Sequence, residues 1–197
     1  MPRNPFRTAR YLQSAYTLDE LPPDRGREAA FVGRSNAGKS SVLNVLADQR
    51  ALAHISRTPG RTRQINLYSA GGQARLADLP GYGYARVPAA MQKHWQETLA
   101  PYLEQRQSLC QLIVVLDCRR GLTDLDLRML ELARSLGRPC HVLLNKADKL
   151  AAAAARGMLA QVAARTAASG AACQLFSAVD RQGTEELRRV LRQSLLD

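Results

Sequence analysis

Gly33-Arg34-Ser35-Asn36-Ala37-Gly38-Lys39-Ser40 fits G-x-x-x-x-G-K-[ST] at every fixed position, after the apolar run Ala29-Ala30-Phe31-Val32 and before Val42-Leu43-Asn44-Val45-Leu46. A strand, a glycine-bounded loop and a helix in that order form a phosphate-binding loop in its proper context. Gly33 and Gly38 permit backbone angles that turn successive N–H groups inward around phosphate oxygens, and the following helix presents its positive N-terminus to the same place. Lys39 then reaches the β- and γ-phosphates, and Ser40 is placed to ligate Mg²⁺.

Working outward, apolar and β-branched runs recur at Ala29 to Val32, Ile65 to Tyr68, Ala74 to Ala77, Leu112 to Leu116, Cys140 to Leu144 and Cys173 to Phe176. Between them lie helix-like segments at Ser40 to Leu46, Met91 to Leu103, Asp124 to Leu136, Ala151 to Ala168 and Thr184 to Leu195, the last with Leu187, Val190, Leu191 and Leu195 on one face. Such alternation predicts an α/β fold, a mostly parallel sheet with helices on both faces. Ser69-Ala70-Gly71-Gly72-Gln73 is too short for a crossover and rich in turn residues, so the second and third strands are expected to form a hairpin. The expected architecture is a mixed six-stranded sheet with one antiparallel strand, in a single domain over residues 24–197 behind an N-terminal extension over residues 1–23. Met1 to Arg10 carries Arg3, Arg7 and Arg10 and reads as a mobile basic tail.

A phosphate loop serves kinases, ATPases and GTPases alike, so the base has to be read elsewhere. Asn145-Lys146-Ala147-Asp148 follows the strand His141-Val142-Leu143-Leu144 and falls at its C-terminal edge, where open α/β sheets bind ligands. A carboxylate at Asp148 accepts from both N1–H and the exocyclic amine of guanine. Adenine offers an acceptor at N1 and would leave that carboxylate unpaired, a costly outcome in a buried site. The Lys146 stem can lie over the base, while Asn145 is expected to tie this loop to the phosphate loop. Asp78-Leu79-Pro80-Gly81 matches D-x-x-G, with Asp78 positioned to hold Mg²⁺ through a water and the Gly81 N–H positioned to sense a γ-phosphate. In Arg57-Thr58-Pro59-Gly60-Arg61-Thr62-Arg63, the second protein ligand of Mg²⁺ is Thr62 or Thr58; spacing before the second strand favours Thr62, in a nucleotide-contacting stretch Gly60-Arg61-Thr62-Arg63-Gln64. Phe176-Ser177-Ala178 ends the last strand and can offer the Ala178 N–H to guanine O6.

The chain has 197 residues and 46% hydrophobic content, enough for one domain with a full core. No stretch reaches the ~18 apolar residues of a membrane span, and Met1 to Asp24 has no secretion-type apolar segment, so a cytoplasmic protein without a membrane anchor is expected. Cys110, Cys118, Cys140 and Cys173 form no C-x-x-C pair and read as small buried residues, and His54, His94 and His141 form no ligand-spaced cluster. The formal net charge is +11, from 24 Arg and 4 Lys against 17 acidic residues, which predicts attraction to a polyanion such as RNA. Two of those four lysines, Lys39 and Lys146, fall inside the nucleotide motifs. In a chain that otherwise uses Arg, this points to a requirement for an ammonium group there.

At this point the sequence resembles the EngB family, also called YihA or YsxC, of bacterial ribosome-assembly GTPases related to Ras. The resemblance spans nearly the whole chain. It is carried by Gly33 to Ser40 with Ser41, by Arg57-Thr58-Pro59-Gly60-Arg61-Thr62, by Asp78-Leu79-Pro80-Gly81-Tyr82-Gly83-Tyr84-Ala85 and by Asp117-Cys118-Arg119-Arg120-Gly121-Leu122-Thr123-Asp124-Leu125-Asp126. Asn145 departs from the Thr that many members carry, which leaves guanine selection to Asp148 intact. The resemblance implies GTP/GDP and Mg²⁺ as cofactors, the large ribosomal subunit and its rRNA as partners of a protein monomeric in isolation, and a link to cell division and septation.

Where many GTPases place a Gln after D-x-x-G to orient the attacking water, this chain has Tyr82, which predicts slow intrinsic hydrolysis. Lys39, Thr62, Gly81 and Asn36 are left as the catalytic candidates. Asn36 has two readings: it shapes the loop, or, as in similar GTPases, it holds K⁺ beside the phosphates and adds positive charge in the transition state. The arginines of the first loop, Arg57, Arg61 and Arg63, and the pair Arg119 and Arg120 are alternative rRNA contacts. The expected function is a nucleotide-dependent switch; the competing expectation is an rRNA-binding scaffold that keeps nucleotide for structure and scarcely hydrolyses it.

Overall fold

Strand β2, Arg27–Gly33, is buried along all but its first residue, so its side chains must meet apolar partners on both faces of a sheet. They do: Ala30 and Val32 point into one core and Ala29 and Phe31 into the other. The computed structural model describes residues 4–54, 64–82 and 98–197. Around β2 the strands are β1 (Arg10–Ala15), β3 (Ile65–Ser69), β4 (Ala74–Asp78), β5 (Leu109–Asp117), β6 (Cys140–Asn145) and β7 (Ala172–Leu175), in the spatial order β1-β3-β4-β2-β5-β6-β7. β4, β2, β5, β6 and β7 run parallel, while β3 is antiparallel to both β4 and β1.

The described helices are α1 (Lys39–Leu46), α2 (described over 98–105), α3 (Asp124–Ser135), α4 (Ala152–Thr166) and α5 (Thr184–Leu195). Helices α1 and α5 cover one face through Val42, Leu43, Leu46, Leu187, Leu191 and Leu195. Helices α2, α3 and α4 cover the other, through residues such as Leu99, Tyr102, Met129, Leu130 and Val162. The β3–β4 hairpin forms at Ala70 to Gln73 as expected, with Gly71 and Gly72 at positive φ in the turn. No described helix is long and apolar enough to cross a membrane.

The sheet has seven strands rather than six, and the order of the chain from Asn4 onward corrects the reading of that part as a mobile basic tail. Phe6 is fully buried in the α1–α5 core, in a short 3-10 turn at Pro5–Thr8. The Asn4 amide donates to the Leu46 carbonyl at 3.0 Å, and the Gln49 amide donates to the carbonyls of Arg7 and Ala9 at 3.0 and 2.8 Å. β1 then pairs with β3 as an edge strand with a bulge between Tyr11 and Gln13. Only Ala15 of β1 is buried, so the strand lacks the apolar run that betrayed the others. The cysteines are all free, but only Cys118 is buried; Cys110, Cys140 and Cys173 are half-buried.

Candidate functional site

Four loops converge at the C-terminal ends of the parallel strands: residues 33–38 after β2, 78–82 after β4, 145–148 after β6 and 176–178 after β7. This edge is where α/β sheets place ligands, because strand ends and helix N-termini meet there. The loop after β2 is possible only with glycine at its ends. A Cβ on Gly33 would collide with the Val115 carbonyl, and Gly38, at φ 100°, would press a Cβ into the Asn145 amide. In that vacated space the Asn145 amide donates to the Ala37 carbonyl at 2.8 Å. Asn36 also takes a left-handed backbone conformation, and its carbonyl accepts from Lys146 Nζ at 2.6 Å. The base-reading loop is thus bonded twice to the phosphate-binding loop, once through Asn145 and once through Lys146.

Helix α1 starts at Lys39 with no side-chain cap on its first turn, which leaves backbone N–H donors available to an anion. Helix α3 is the counterexample within the same chain. There the Asp126 carboxylate accepts from the Thr123 N–H at 2.9 Å and from the Thr123 hydroxyl at 2.6 Å, closing the helix end with its own side chains.

Asp78, only 3% exposed, accepts a hydrogen bond from the Ser40 hydroxyl at 3.1 Å through Oδ2, while its buried Oδ1 has no partner among the described residues. Burial pushes the Asp78 carboxyl above its usual range, against the pull of Lys39 and the Ser40 hydroxyl. Burial likewise pushes the Lys39 ammonium down, with Asp78 opposing. A buried carboxylate oxygen without a donor, beside a hydroxyl and an ammonium, suits a hard cation with its water shell. Ser40 and Asp78 therefore fit Mg²⁺. Gly60, Arg61, Thr62 and Arg63, including the expected second protein ligand Thr62, lie outside the described residues, as does the rival Thr58; Gln64 is half-buried just before β3.

Asp148 accepts from the Ser177 hydroxyl at 2.8 Å and pairs with Lys149 at 3.2 Å. Desolvation raises its pKa, but the hydrogen bonds from Ser177 and Lys149 outweigh it and hold the carboxyl below its usual value. It is therefore ionised, as reading guanine requires. Ser177 is wholly buried, and its oxygen also accepts from the Val179 N–H at 3.1 Å. The Phe176 carbonyl takes the Ala147 N–H at 3.1 Å, locking the β6 and β7 loops together. The Ala178 N–H has no hydrogen-bond partner among the described residues.

Two arrangements had escaped the sequence. Asp117 ends β5 directly beside Asn145 and holds both Lys146 Nζ, at 2.9 Å, and the Arg119 guanidinium, at 2.9 and 2.6 Å. Desolvation opposes its charge, yet Arg119 and Lys146 hold the carboxyl far below the usual range. The signal was available in its place at a parallel strand's C-terminal end. The second is Tyr82, 4% exposed, whose hydroxyl donates to Asp126 at 2.7 Å. Its backbone is fixed as well: the Tyr82 N–H donates to the Gly33 carbonyl at 3.3 Å, and the Ser35 N–H donates to the Tyr82 carbonyl at 3.2 Å. Tyr82 thus pins the D-x-x-G loop against the phosphate-binding loop and turns its hydroxyl toward α3. Nothing at the sequence level announced that direction.

A glycine-lysine phosphate loop, a buried Asp after β4 and an ionised Asp after β6, joined on a mixed sheet with one antiparallel strand, define the class of Ras-like P-loop GTPases. A family model described as "50S ribosome-binding GTPase" matches residues 28–146. The probable GTP-binding protein EngB of Methylobacillus flagellatus is 50% identical over 188 residues, covering 94% of this chain and 91% of that one. Its counterpart in Nitrosococcus oceani is 47% identical over 192 residues, covering 96% of each. The chain belongs to the EngB family of GTPases. Among solved structures, a probable GTP-binding protein EngB shares the fold with a TM-score of 0.70 at 21% identity, over 85% of this chain and 98% of that one. A point variant of Aquifex aeolicus Era bound to GDP·AlF₄⁻ does so at 0.69 and 22%, over 86% of this chain and 57% of that one.

Proposed function

We propose that this protein is a slow GTPase that acts in the cytoplasm as a nucleotide-dependent switch during assembly of the large ribosomal subunit. One observation carries the switch reading. The loop that would sense a γ-phosphate is clipped to the phosphate-binding loop at Tyr82, and the Tyr82 side chain faces the core. Gly81 packs on Ser35 so closely that a Cβ would approach its backbone to 3.1 Å, so a change in what the phosphate-binding loop holds is transmitted to residues 78–82 by contact. The chain supplies charge stabilisation through Lys39 and the open N-terminus of α1, and base selection through Asp148. Mg²⁺, when bound at Ser40 and Asp78, neutralises charge on the phosphates. With the Tyr82 hydroxyl committed to Asp126, no side chain among the described residues takes the place of the usual Gln, and turnover is slow until a partner supplies what is missing.

The ribosomal partner is supported by the description of the matching family model and by the net charge of +11. Era, a structural neighbour, has been solved with MgGDPNP and nucleotides 1506–1542 of 16S ribosomal RNA. The link to cell division and septation that the family resemblance implies belongs to the same reading. Pelleting the protein with purified large subunits under GDP, GTP and a non-hydrolysable analogue, while assaying phosphate release, tests the switch. Binding that favours the triphosphate by tenfold, about 1.4 kcal/mol, supports it; indifference to nucleotide turns it into the scaffold. Asn36 is exposed and its side chain makes no hydrogen bond among the described residues, which suits K⁺ binding. Equal turnover in K⁺ and Na⁺ would remove that role.

A further inference from the structure

A cavity of about 450 Å³ opens on the flank of the phosphate-binding loop, between residues 34–37, the end of β5 and the start of α3. Lys39, Ser40, Asp78 and Asp148 are not among its walls; it adjoins the nucleotide site and shares residues 34–37 and Lys146 with it, while Arg119, Arg120, Gly121 and Asp126 belong to the outer side. Four cations line it, Arg34, Arg119, Arg120 and Lys146, against two carboxylates, Asp117 and Asp126. Both carboxylates already have donors: Asp126 holds Tyr82 and Thr123, and Asp117 holds Lys146 and Arg119. Arg34 and Arg120 have no carboxylate partner among the described residues, and Arg120 is exposed. The positive charge of the cavity is therefore in excess.

We propose that this cavity is where the protein docks an RNA phosphodiester backbone, held by Arg119 and Arg120 with Arg34 on the wall of the phosphate-binding loop. The proposal rests on the ribosomal reading above and narrows it to a place. Guanidinium groups offer paired N–H donors that match two phosphate oxygens, and a guanidinium already ordered loses less freedom on binding. Arg119 is ordered in this way: two of its nitrogens grip Asp117, while the side chain remains 46% exposed. An excess of +11 across the chain favours a polyanion over an acidic protein segment, because a polyanion also engages the surrounding charge. Lys146 and Asn36 form a wall of this cavity and also join the base-reading loop to the phosphate-binding loop. RNA bound here and nucleotide bound next door share that wall, and any coupling between them must be reciprocal.

The test is Arg120→Glu, since among the described residues the Arg120 side chain makes no hydrogen bond or ion pair with the nucleotide-binding loops, with Arg120→Ala as the milder variant. Affinity for purified large subunits is measured by pelleting across a KCl series, and affinity for fluorescent GDP is measured in the same preparations. A photoreactive benzophenone side chain in place of Arg120 identifies what lies opposite. The expected result is unchanged GDP affinity and at least about a tenfold loss of subunit binding for Arg120→Glu. The log–log salt slope should be shallower by about one for each phosphate contact removed, and the adduct should be RNA. Wild-type binding that Arg120→Glu leaves intact in affinity and slope overturns the proposal alone, as does an adduct confined to ribosomal protein. Failure of the wild type to pellet under every nucleotide overturns the ribosomal reading and this proposal with it.

Discussion

Two buried carboxylates sit three residues apart on the neighbouring strands β2 and β4, and they are handled in opposite ways. Glu28 is the second residue of β2, opposite Arg75, and Asp78 ends β4 opposite Phe31. Glu28 is 0% exposed and receives five donors: Arg75 Nε, two nitrogens of Arg106, the Tyr102 hydroxyl and the Ser108 hydroxyl. Asp78 is 3% exposed and receives the Ser40 hydroxyl, with one oxygen left without a partner among the described residues. Desolvation acts on both. At Glu28 the arginines overcome it and lower the pKa; at Asp78 it prevails and raises the pKa. The N-terminal edge of the sheet is finished by the protein itself, whereas the C-terminal edge is left for a ligand to finish.

The largest expected effect comes from opening the finished end. Arg75 and Arg106 also hold the carbonyls of Pro23 and Pro22, so Glu28 ties β4 and the residues after α2 to the segment that precedes β2. Glu28→Gln leaves two poorly solvated guanidinium groups without their counter-charge, and breaking such a pair costs about 3–5 kcal/mol. Denaturant unfolding measures it, and a loss under about 1 kcal/mol would sink the view of Glu28 as a structural hub. The pH dependence has a definite sign. A folded-state pKa below the usual 4.5 means that the contribution of Glu28 is complete above that value and fades as pH falls through the folded one. The gap between wild type and variant should accordingly narrow in acid.

Tyr82 makes the comparison sharper, because it is a finished group at the unfinished end. Burial first, and then the Asp126 carboxylate, push its phenol well above the usual range, so it stays protonated and donating. Tyr82→Phe keeps the ring and removes one donor from a buried carboxylate that caps α3, for an expected loss of about 1–3 kcal/mol. Intrinsic GTP hydrolysis should stay within about twofold, since the hydroxyl is already engaged by Asp126. A collapse of turnover with stability intact would return Tyr82 to the catalytic machinery.

The same contrast explains what the sequence made legible. Phosphate binding imposes its residues contiguously: the backbone of one loop does the work, so Gly33, Gly38 and Lys39 appear in a row, and Asn145 to Asp148 follow a strand in the same manner. The Glu28 hub gathers donors from positions 75, 102, 106 and 108, and no local spacing marks them as partners. β1 was missed for a different reason. An edge strand with one buried residue carries no apolar alternation, and the anchor of the segment is a single Phe6 placed ahead of it. Tyr82 could be read as a missing Gln but not as a bond to Asp126, because the direction of a side chain is set by packing between distant segments.

The smallest change in stability, with the opposite sign, is expected at Asp78. Its folded-state pKa is raised above the usual 3.8, so whatever stability its protonation contributes is complete below that value and is lost as pH rises through the folded one. Burial disfavours the charged form of Asp78 in the free protein, and Lys39 offsets this only in part. Asp78→Asn removes that charge while keeping an acceptor for the Ser40 hydroxyl. Unfolding of the nucleotide-free protein should shift by less than about 1 kcal/mol, in the stabilising direction. The cost should appear only with ligand: the extra stability that GTP confers in the presence of Mg²⁺, read as a shift in melting temperature, should shrink, while the shift with GTP in EDTA should not. A variant that is destabilised like Glu28→Gln, or that keeps its full response to Mg²⁺, would mean that the two carboxylates do the same kind of work and that the orphaned oxygen of Asp78 is not waiting for a cation.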